Sequence, residues 1–414
     1  MRVSWDIPNS APKDLHFTSS FSGEAVNGTA ITGVPSKTLG GTVIAVGQKL
    51  QRWPAWDVDI TNHNGHEFAT YWMESMPWNS AEPASTAMHI FNGTANYFGD
   101  YNSPFRVFFR HDWASYGGVG SFQSFLIEYR PGAEEESSLD SLIRMLSHEI
   151  IHNYALLWPD DSDYTNWYTE GIAEYLSIMS PYLSNTINRT HWIRWMNEET
   201  QAYYTGSSVL SRSWDDVIAD YWSRGLANIM TPYTRGFMYL VHVQGLINDA
   251  TNGRNSIDDV ILPMYELYKD GKTVGKDEFV NFLGKLIGKE AADLSYEMMR
   301  NGTTLHASTT AYAKFNLIVV RKDAPKFDIG MNDNSISRKN VTGLVPGSNA
   351  ERAGLREGDQ IISSYGTWDL MERLDSMMRM VIQRDGKNLT FNYSPRSTSV
   401  IVENWEWVDS AKVL

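Results

Sequence analysis

The sequence contains no cysteine. No disulfide framework can form, and a metal held by these side chains must take nitrogen and oxygen ligands. Basic residues are outnumbered: 35 Lys and Arg face 49 Asp and Glu, a formal net charge of −14. That balance argues against a nucleic-acid binder, which needs a basic stripe, and against attraction to an anionic membrane surface. No apolar run reaches the roughly 18 residues of a membrane span. The first ten residues, MRVSWDIPNS, hold no apolar signal region. The expectation is a cytosolic chain, or one whose leader was removed before this numbering. Internal repeats and low-complexity tracts are also missing.

What is present is a globular composition, 42% hydrophobic over 414 residues, with room for two or three domains. The 15 Trp and 21 Tyr are expected to line a core and a cleft, with sugar-stacking platforms as the alternative. Sequons begin at Asn27, Asn92, Asn188, Asn301, Asn340 and Asn388, and a poorer one, NYSP, at Asn392. Chance supplies roughly three or four in such a chain. The excess leans toward a secreted glycoprotein, with the cytoplasm as the alternative.

Residues 1–110 look turn-rich and β-like, with GGTVIAVGQKL, HEFATYWMESMPW and FRVFFRHDW as short strand candidates between Gly, Pro and Asn clusters. SFQSFLIEY is one more. The pattern then turns helical: Leu139, Leu142, Ile143, Leu146 and Ile150 keep the 3/4 spacing of one helix face. Ser137 and Asp140 read as a capping box behind the acidic run 134–136. Helical patterns dominate from about 165 to 305, residues 301–314 look like a linker, and β-like runs return beyond it. The expected class is α+β.

Chemistry concentrates in SHEIIHN, residues 147–153, and in WYTEGIAEY, residues 167–175. His148 and His152 stand four apart on the predicted helix, so both imidazoles reach one ion. Glu149 lies about 100° round the helix and can accept a proton from water on the ion's open side. A catalytic zinc site needs a third protein ligand. Glu170 can supply it from the next helix, and Glu174, one turn on, can fix the tautomer of a ligand His. The expected cofactor is one zinc ion per chain.

These motifs resemble those of the gluzincin metallopeptidases, and within them most closely the glycyl aminopeptidase family and its relatives. WYTEGIAEY is similar to that family's W-x-x-E-G-x-x-x-Y segment. TPYTRGFMYL is similar to the segment that supplies a catalytic Tyr in gluzincin aminopeptidases, which implies that Tyr233 binds the oxyanion. VTGLVPGSNAERAGLREGDQII resembles a PDZ core, with Gly347, Ala350, Ala353, Gly354, Leu355, Gly358 and Asp359 in order. The resemblance implies a remnant of a β-rich N-terminal domain over 1–50, a thermolysin-like catalytic domain with a helical lobe over 51–310 and a PDZ domain over 315–405. It implies zinc-dependent peptide-bond hydrolysis of an aminopeptidase-like kind with relaxed or altered recognition of the substrate N-terminus, a peptide or protein substrate, and a peptide ligand or a packing role for the PDZ part. The carboxylate loop usual in PDZ domains has only FDIG, 327–330, as a counterpart.

One position departs from the pattern. The family's edge strand reads G-G-x-E-H, its Glu holding the substrate's α-amino group. Here the stretch is Gly117, Gly118, Val119, Gly120 and Ser121, with Gly120 at the Glu position. Recognition of a free N-terminus is therefore in doubt, unless another carboxylate, such as Glu128 or one from the helical lobe, replaces it, and cleavage inside a chain becomes an alternative. A catalytically silent protein that binds peptides through the PDZ groove is the rival reading. Asp160, Asp161 and Asp163 could hold calcium, although a solvated capping loop is the plainer account. His63 and His66, around the Asn64-Gly65 turn, read as a surface hairpin rather than a second metal site.

Overall fold

The computed structural model describes residues 2–408 apart from 5–8, 15, 21–28, 32–43, 48, 54–65, 74–80, 112–116, 122, 130–138, 156, 158–162, 207–209 and 366–368. The chain is α+β and divides into two compact units, residues 1–155 with 176–188, and residues 156–175 with 189–414.

In the first unit, β1 (Arg2–Ser4) pairs with β3 (Thr29–Ile31), and β2 (His16–Ser19) with β4 (Ile44–Gly47), both antiparallel. The sheet that matters for the site has five strands: β5 (Gln51–Trp53), β6 (Phe68–Trp72), β7 (Phe105–His111), β8 (Gly117–Ser121) and β9 (Ser124–Tyr129), in the order β5-β6-β7-β9-β8. β6, β7 and β9 run parallel, while the outer strands β5 and β8 are antiparallel to their neighbours. FATYW of β6 and FRVFF of β7 are buried at every position. Near-continuous burial rather than alternation is what a parallel centre demands.

α1 (Ala81–Tyr97) carries the parallel connection from β6 to β7. Helical structure here departs from the β-like reading of residues 1–110. Ala84, Ala87, Ile90, Phe91 and Ala95 are buried in helical rhythm, but Pro83, Asn92 and Gly93 read as punctuation. Gly93 faces Ser184 so closely that a Cβ there would lie 2.9 Å from the Ser184 Cβ. Asn92 therefore begins its sequon mid-helix, and its Thr94 is fully buried, with Oγ1 3.3 Å from the Ser180 Oγ. SFQSFLIEY is also not one strand: Ser121 ends β8, the chain turns at Gln123 with φ +48°, and β9 begins at Ser124. His66 is a further correction: it is fully buried rather than on a surface hairpin. Its Nδ1 lies 3.0 Å from the Ser103 carbonyl oxygen, and its ring meets Phe91 edge-on. His63, Asn64 and Gly65 lie outside the described residues, as do Ser137 and the run 134–136.

α2 (Leu139–Ile151) follows, with Leu142, Leu146 and Ile150 fully buried. α3 (Asn166–Leu183) gives its last turns to the first unit and its first turns to the second. The second unit continues through α4 (Arg189–Thr205), α5 (Trp214–Ala219), α6 (Leu226–Ile229), α7 (Thr231–Thr251), α8 (Asp258–Lys269), α9 (Lys276–Ile287) and α10 (Lys289–Arg300). Aromatic residues fill this core, as expected of them. Trp167 meets Tyr239, Phe279 and Tyr296 edge-on, and Trp167, Trp192, Trp195, Trp214 and Trp405 are all fully buried.

The stretch 301–314, read as a linker, is tied down. Leu305 is buried, its amide donates to the Tyr203 hydroxyl, and its carbonyl oxygen lies 2.9 Å from the Tyr204 hydroxyl oxygen. Beyond it come β10 (Leu317–Phe327), α11 (Asn349–Ala353), β11 (Gln360–Tyr365), α12 (Asp369–Glu372), β12 (Met378–Arg384), β13 (Lys387–Tyr393) and β14 (Arg396–Trp407). β10 and β14 form a long antiparallel ribbon, and β11, β12 and β13 a three-stranded sheet. The PDZ-like motif residues have structural jobs here. Ser348 caps α11 by accepting from the Glu351 amide, and Asp359 accepts from the Arg356 amide and from the Arg384 guanidinium.

Candidate metal centre

α2 packs against α1, β8 and β9 within the first unit. Its apolar face, Leu142, Leu146 and Ile150, is buried, and this fixes the rotation at which His148 and Glu149 leave the helix. α2 ends at Ile151, so His152 sits in the turn just beyond rather than in the helix. The four-residue spacing still brings the rings together, with Nε2 atoms 3.0 Å apart and planes at 81°. The turn is held from its far side. The Tyr154 hydroxyl donates to the Asp100 carboxylate at 3.1 Å, and its ring stacks on Phe98 at 4.8 Å. Burial alone raises the pKa of Asp100, but hydrogen bonds from Ser103, Asn102 and Tyr154 outweigh it and the net shift is downward. Asp100 is thus held as the acceptor the turn needs. Nothing local in the sequence marks this pair, whose members are 54 positions apart.

Glu170 lies in the second turn of α3. His148, His152 and Glu170 each present one donor atom, all within 4.8 Å of one another. Among the described residues this is the one group of three such side chains that converges. Two nitrogens and one carboxylate oxygen, with no thiolate, is the donor set of a catalytic zinc site. The two Nε2 atoms, 3.0 Å apart, are near enough for both to reach one ion at Zn–N bonds of ~2.05 Å. The residues therefore fit zinc.

Glu149 is buried, 9% exposed, beneath the edge strand β8. A Cβ added at Gly118 would fall 3.0 Å from the Glu149 Cγ and Oε1, and one at Gly120 would fall 3.4 Å from Oε2 and 3.5 Å from the His152 Cβ. The Gly-rich strand therefore lies directly on the Glu149 carboxylate and on His152, a closeness that a side chain at Gly118 would disturb. Gly117 and Val119 belong to the same strand, and Val119 is exposed. Glu128 faces Gly117 across the β8–β9 ladder and is ion-paired with Arg110.

In the second unit, Glu174 is buried one turn past Glu170. Tyr233 is in the first turn of α7, half-buried, beside Pro232, whose fixed φ suits a helix start. Gly171 and Gly236 explain the glycine that each motif carries. A Cβ on Gly236 would lie 2.3 Å from the Trp167 carbonyl oxygen and 2.6 Å from the Gly171 Cα. α3 and α7 thus touch backbone to backbone, next to Glu170 and one turn from Tyr233. Asp160 and Asp161 lie outside the described residues, and Asp163 begins a short 3₁₀ turn.

No protein-family model and no curated protein sequence matches the chain. Solved structures do. An aminopeptidase N family protein from Idiomarina loihiensis is similar with a TM-score of 0.63 at 12% identity, covering 97% of this chain and 77% of that one. An M1 zinc metallopeptidase from Deinococcus radiodurans gives 0.48 at 17% identity, covering 71% of this chain and 63% of that one. Native yeast LTA4 hydrolase gives 0.43 at 16%, with 66% and 42% covered. The fold of this chain is therefore that of the aminopeptidase N family protein, a likeness that extends over nearly its whole length.

Proposed function

We propose that the chain is a zinc-dependent peptidase of the gluzincin type. The observation that carries this reading is the convergence of His148, His152 and Glu170 beside a buried Glu149 covered by an edge strand. When bound, zinc would supply a Lewis acid and lower the pKa of its water to about 7. His148, His152 and Glu170 hold the ion, and Glu174 is assigned to orient a ligand imidazole. Glu149 takes the proton from the attacking water and passes it to the leaving amine. The Tyr233 hydroxyl donates to the carbonyl oxygen as charge builds on it.

The substrate on this reading is an extended peptide that adds to the free edge of β8 by backbone hydrogen bonds. β8 pairs only with β9 among the described strands, so its outer edge suits such an addition. With Gly at 120 and Glu128 engaged by Arg110, neither position offers a substrate ammonium an uncommitted carboxylate. We therefore assign cleavage that does not depend on a free α-amino group, and internal cleavage with it. A fluorogenic hexapeptide, free or N-acetylated, is expected to be cut with kcat/KM values within about tenfold of each other, a margin of ~1.4 kcal/mol. Strict preference for the free form would restore the aminopeptidase reading. Removal of metal with a chelator is expected to abolish cleavage, and one equivalent of zinc to restore it. Full activity in metal-free protein would end the zinc proposal. Residues 315–405 are assigned to a PDZ-like module on the strength of the motif residues described above.

A further inference from the structure

The core of the PDZ-like module, built mainly from residues between Phe327 and Tyr393, does not close on itself but continues into the helices. Val341, Met371 and Met380 share one buried apolar cluster with Ala202 of α4, Ala227 of α6 and Met230, and Tyr233 packs against that same cluster. Two close approaches join the surfaces, one to backbone and one to a side chain. At Gly225, which precedes α6 with φ +97°, a Cβ would lie 2.3 Å from the Asp333 carbonyl oxygen. At Gly206 it would lie 2.8 Å from the Met371 Cε.

A second, polar clasp lies along β14. The Tyr204 hydroxyl and the Ala307 amide both donate to the Glu403 Oε2, at 2.7 and 3.0 Å, and His306 Nδ1 is 2.9 Å from Oε1. Asn197 donates to the Trp405 carbonyl and accepts from the Trp405 amide. Elements joined by a common core and buried hydrogen bonds move as one body. A mobile domain would instead show a separate core and a polar, easily parted interface.

From this we infer that residues 317–407 act as a positioning element for the hydrolytic site. They hold the segment 225–233, and with it the Tyr233 ring, in place, rather than capturing peptides independently. The inference rests on the role given to Tyr233 above. The physical reason is that α6 and the first turn of α7 are short and have no side-chain cap hydrogen bond at either start, so tertiary packing must set where they lie.

A double-mutant cycle tests it, using the full-length zinc-loaded protein and the fluorogenic hexapeptide. Gly225→Ala forces the Asp333 backbone away and is expected to lower kcat about 10–100-fold, the scale of a displacement near 1 Å, with KM and zinc content unchanged. In a Tyr233→Phe background the same substitution is expected to change kcat by less than about twofold, because the group it misplaces is already gone. If Gly225→Ala does not fold, Met371→Ala, which opens a cavity in the shared core, takes its place in the cycle. Equal losses in the parent and in Tyr233→Phe would overturn the inference, as would a Tyr233→Phe variant with undiminished kcat. A rise in KM for a ten-residue peptide alone, with kcat intact, would also overturn it in favour of peptide capture. The two readings fail separately. Hydrolysis that survives metal removal sinks the zinc proposal, whereas an additive cycle in a metal-dependent enzyme sinks only the coupling.

Discussion

Glu149→Gln is expected to lower kcat for peptide hydrolysis by about 10²–10⁴-fold, the usual contribution of a positioned general base, while zinc remains bound. The amide has the size and shape of the carboxylate, so it fits under the Gly118 and Gly120 backbone without a new clash. A Cβ added at Gly118 or Gly120 would fall 3.0 to 3.4 Å from Glu149 side-chain atoms, so the strand lies close over the group. What changes is the proton balance: an amide cannot take a proton from water and return it to an amine. The three donors at His148, His152 and Glu170 are untouched, so metal content should match the parent. Steady-state hydrolysis of the hexapeptide, read together with zinc content, decides the matter. A variant that holds zinc and cleaves as fast as the parent would remove Glu149 from the mechanism.

The second large effect is expected at the helix crossing. Gly236→Ala places a methyl group 2.3 Å from the Trp167 carbonyl oxygen and 2.6 Å from the Gly171 Cα. Both are backbone atoms, so no rotamer change relieves the overlap, and α3 and α7 must separate. Trp167 cannot yield easily, because its ring is fully buried against Tyr239, Phe279 and Tyr296. Overpacking costs about 1–3 kcal/mol and more where backbone moves. A loss near 3 kcal/mol corresponds to a fall in Tm of about 6–12 °C for a unit of this size. Zinc affinity should fall with it, since Glu170 precedes the glycine that α7 touches. Thermal unfolding and zinc titration measure the two effects. An unchanged Tm in Gly236→Ala would show that the two backbones are not in contact.

The convergence of His148, His152 and Glu170 was legible because their relation is mostly local. His148 and His152 are four apart on a periodic segment, and helix geometry alone predicts that they share a face. Even with His152 displaced into the turn after Ile151, the rings meet, since the chain keeps nearly helical spacing for one more residue. Glu170 could be nominated from a second Glu-bearing helix a short loop away. By contrast, α1 was hidden, because Pro83, Asn92 and Gly93 are turn formers by propensity and become helical only through packing of Ala84, Ala87 and Phe91. The break at Gln123 was hidden in the same way: SFQSFLIEY has the alternation of a single strand, and only pairing between β8 and β9 reveals a hairpin.

By itself the sequence excluded thiolate chemistry and put forward His148, His152 and Glu170 as candidate donors, with Glu149 as a candidate base. These follow from residue identity and from spacings of a few positions. Only the tertiary structure decided that Gly118 and Gly120 lie on Glu149, that Gly171 meets Gly236, and that the PDZ-like stretch shares a core with the segment that carries Tyr233. Each of these is a contact between residues some 30 to 150 positions apart, and a glycine in a sequence does not say which backbone will come close enough to need it.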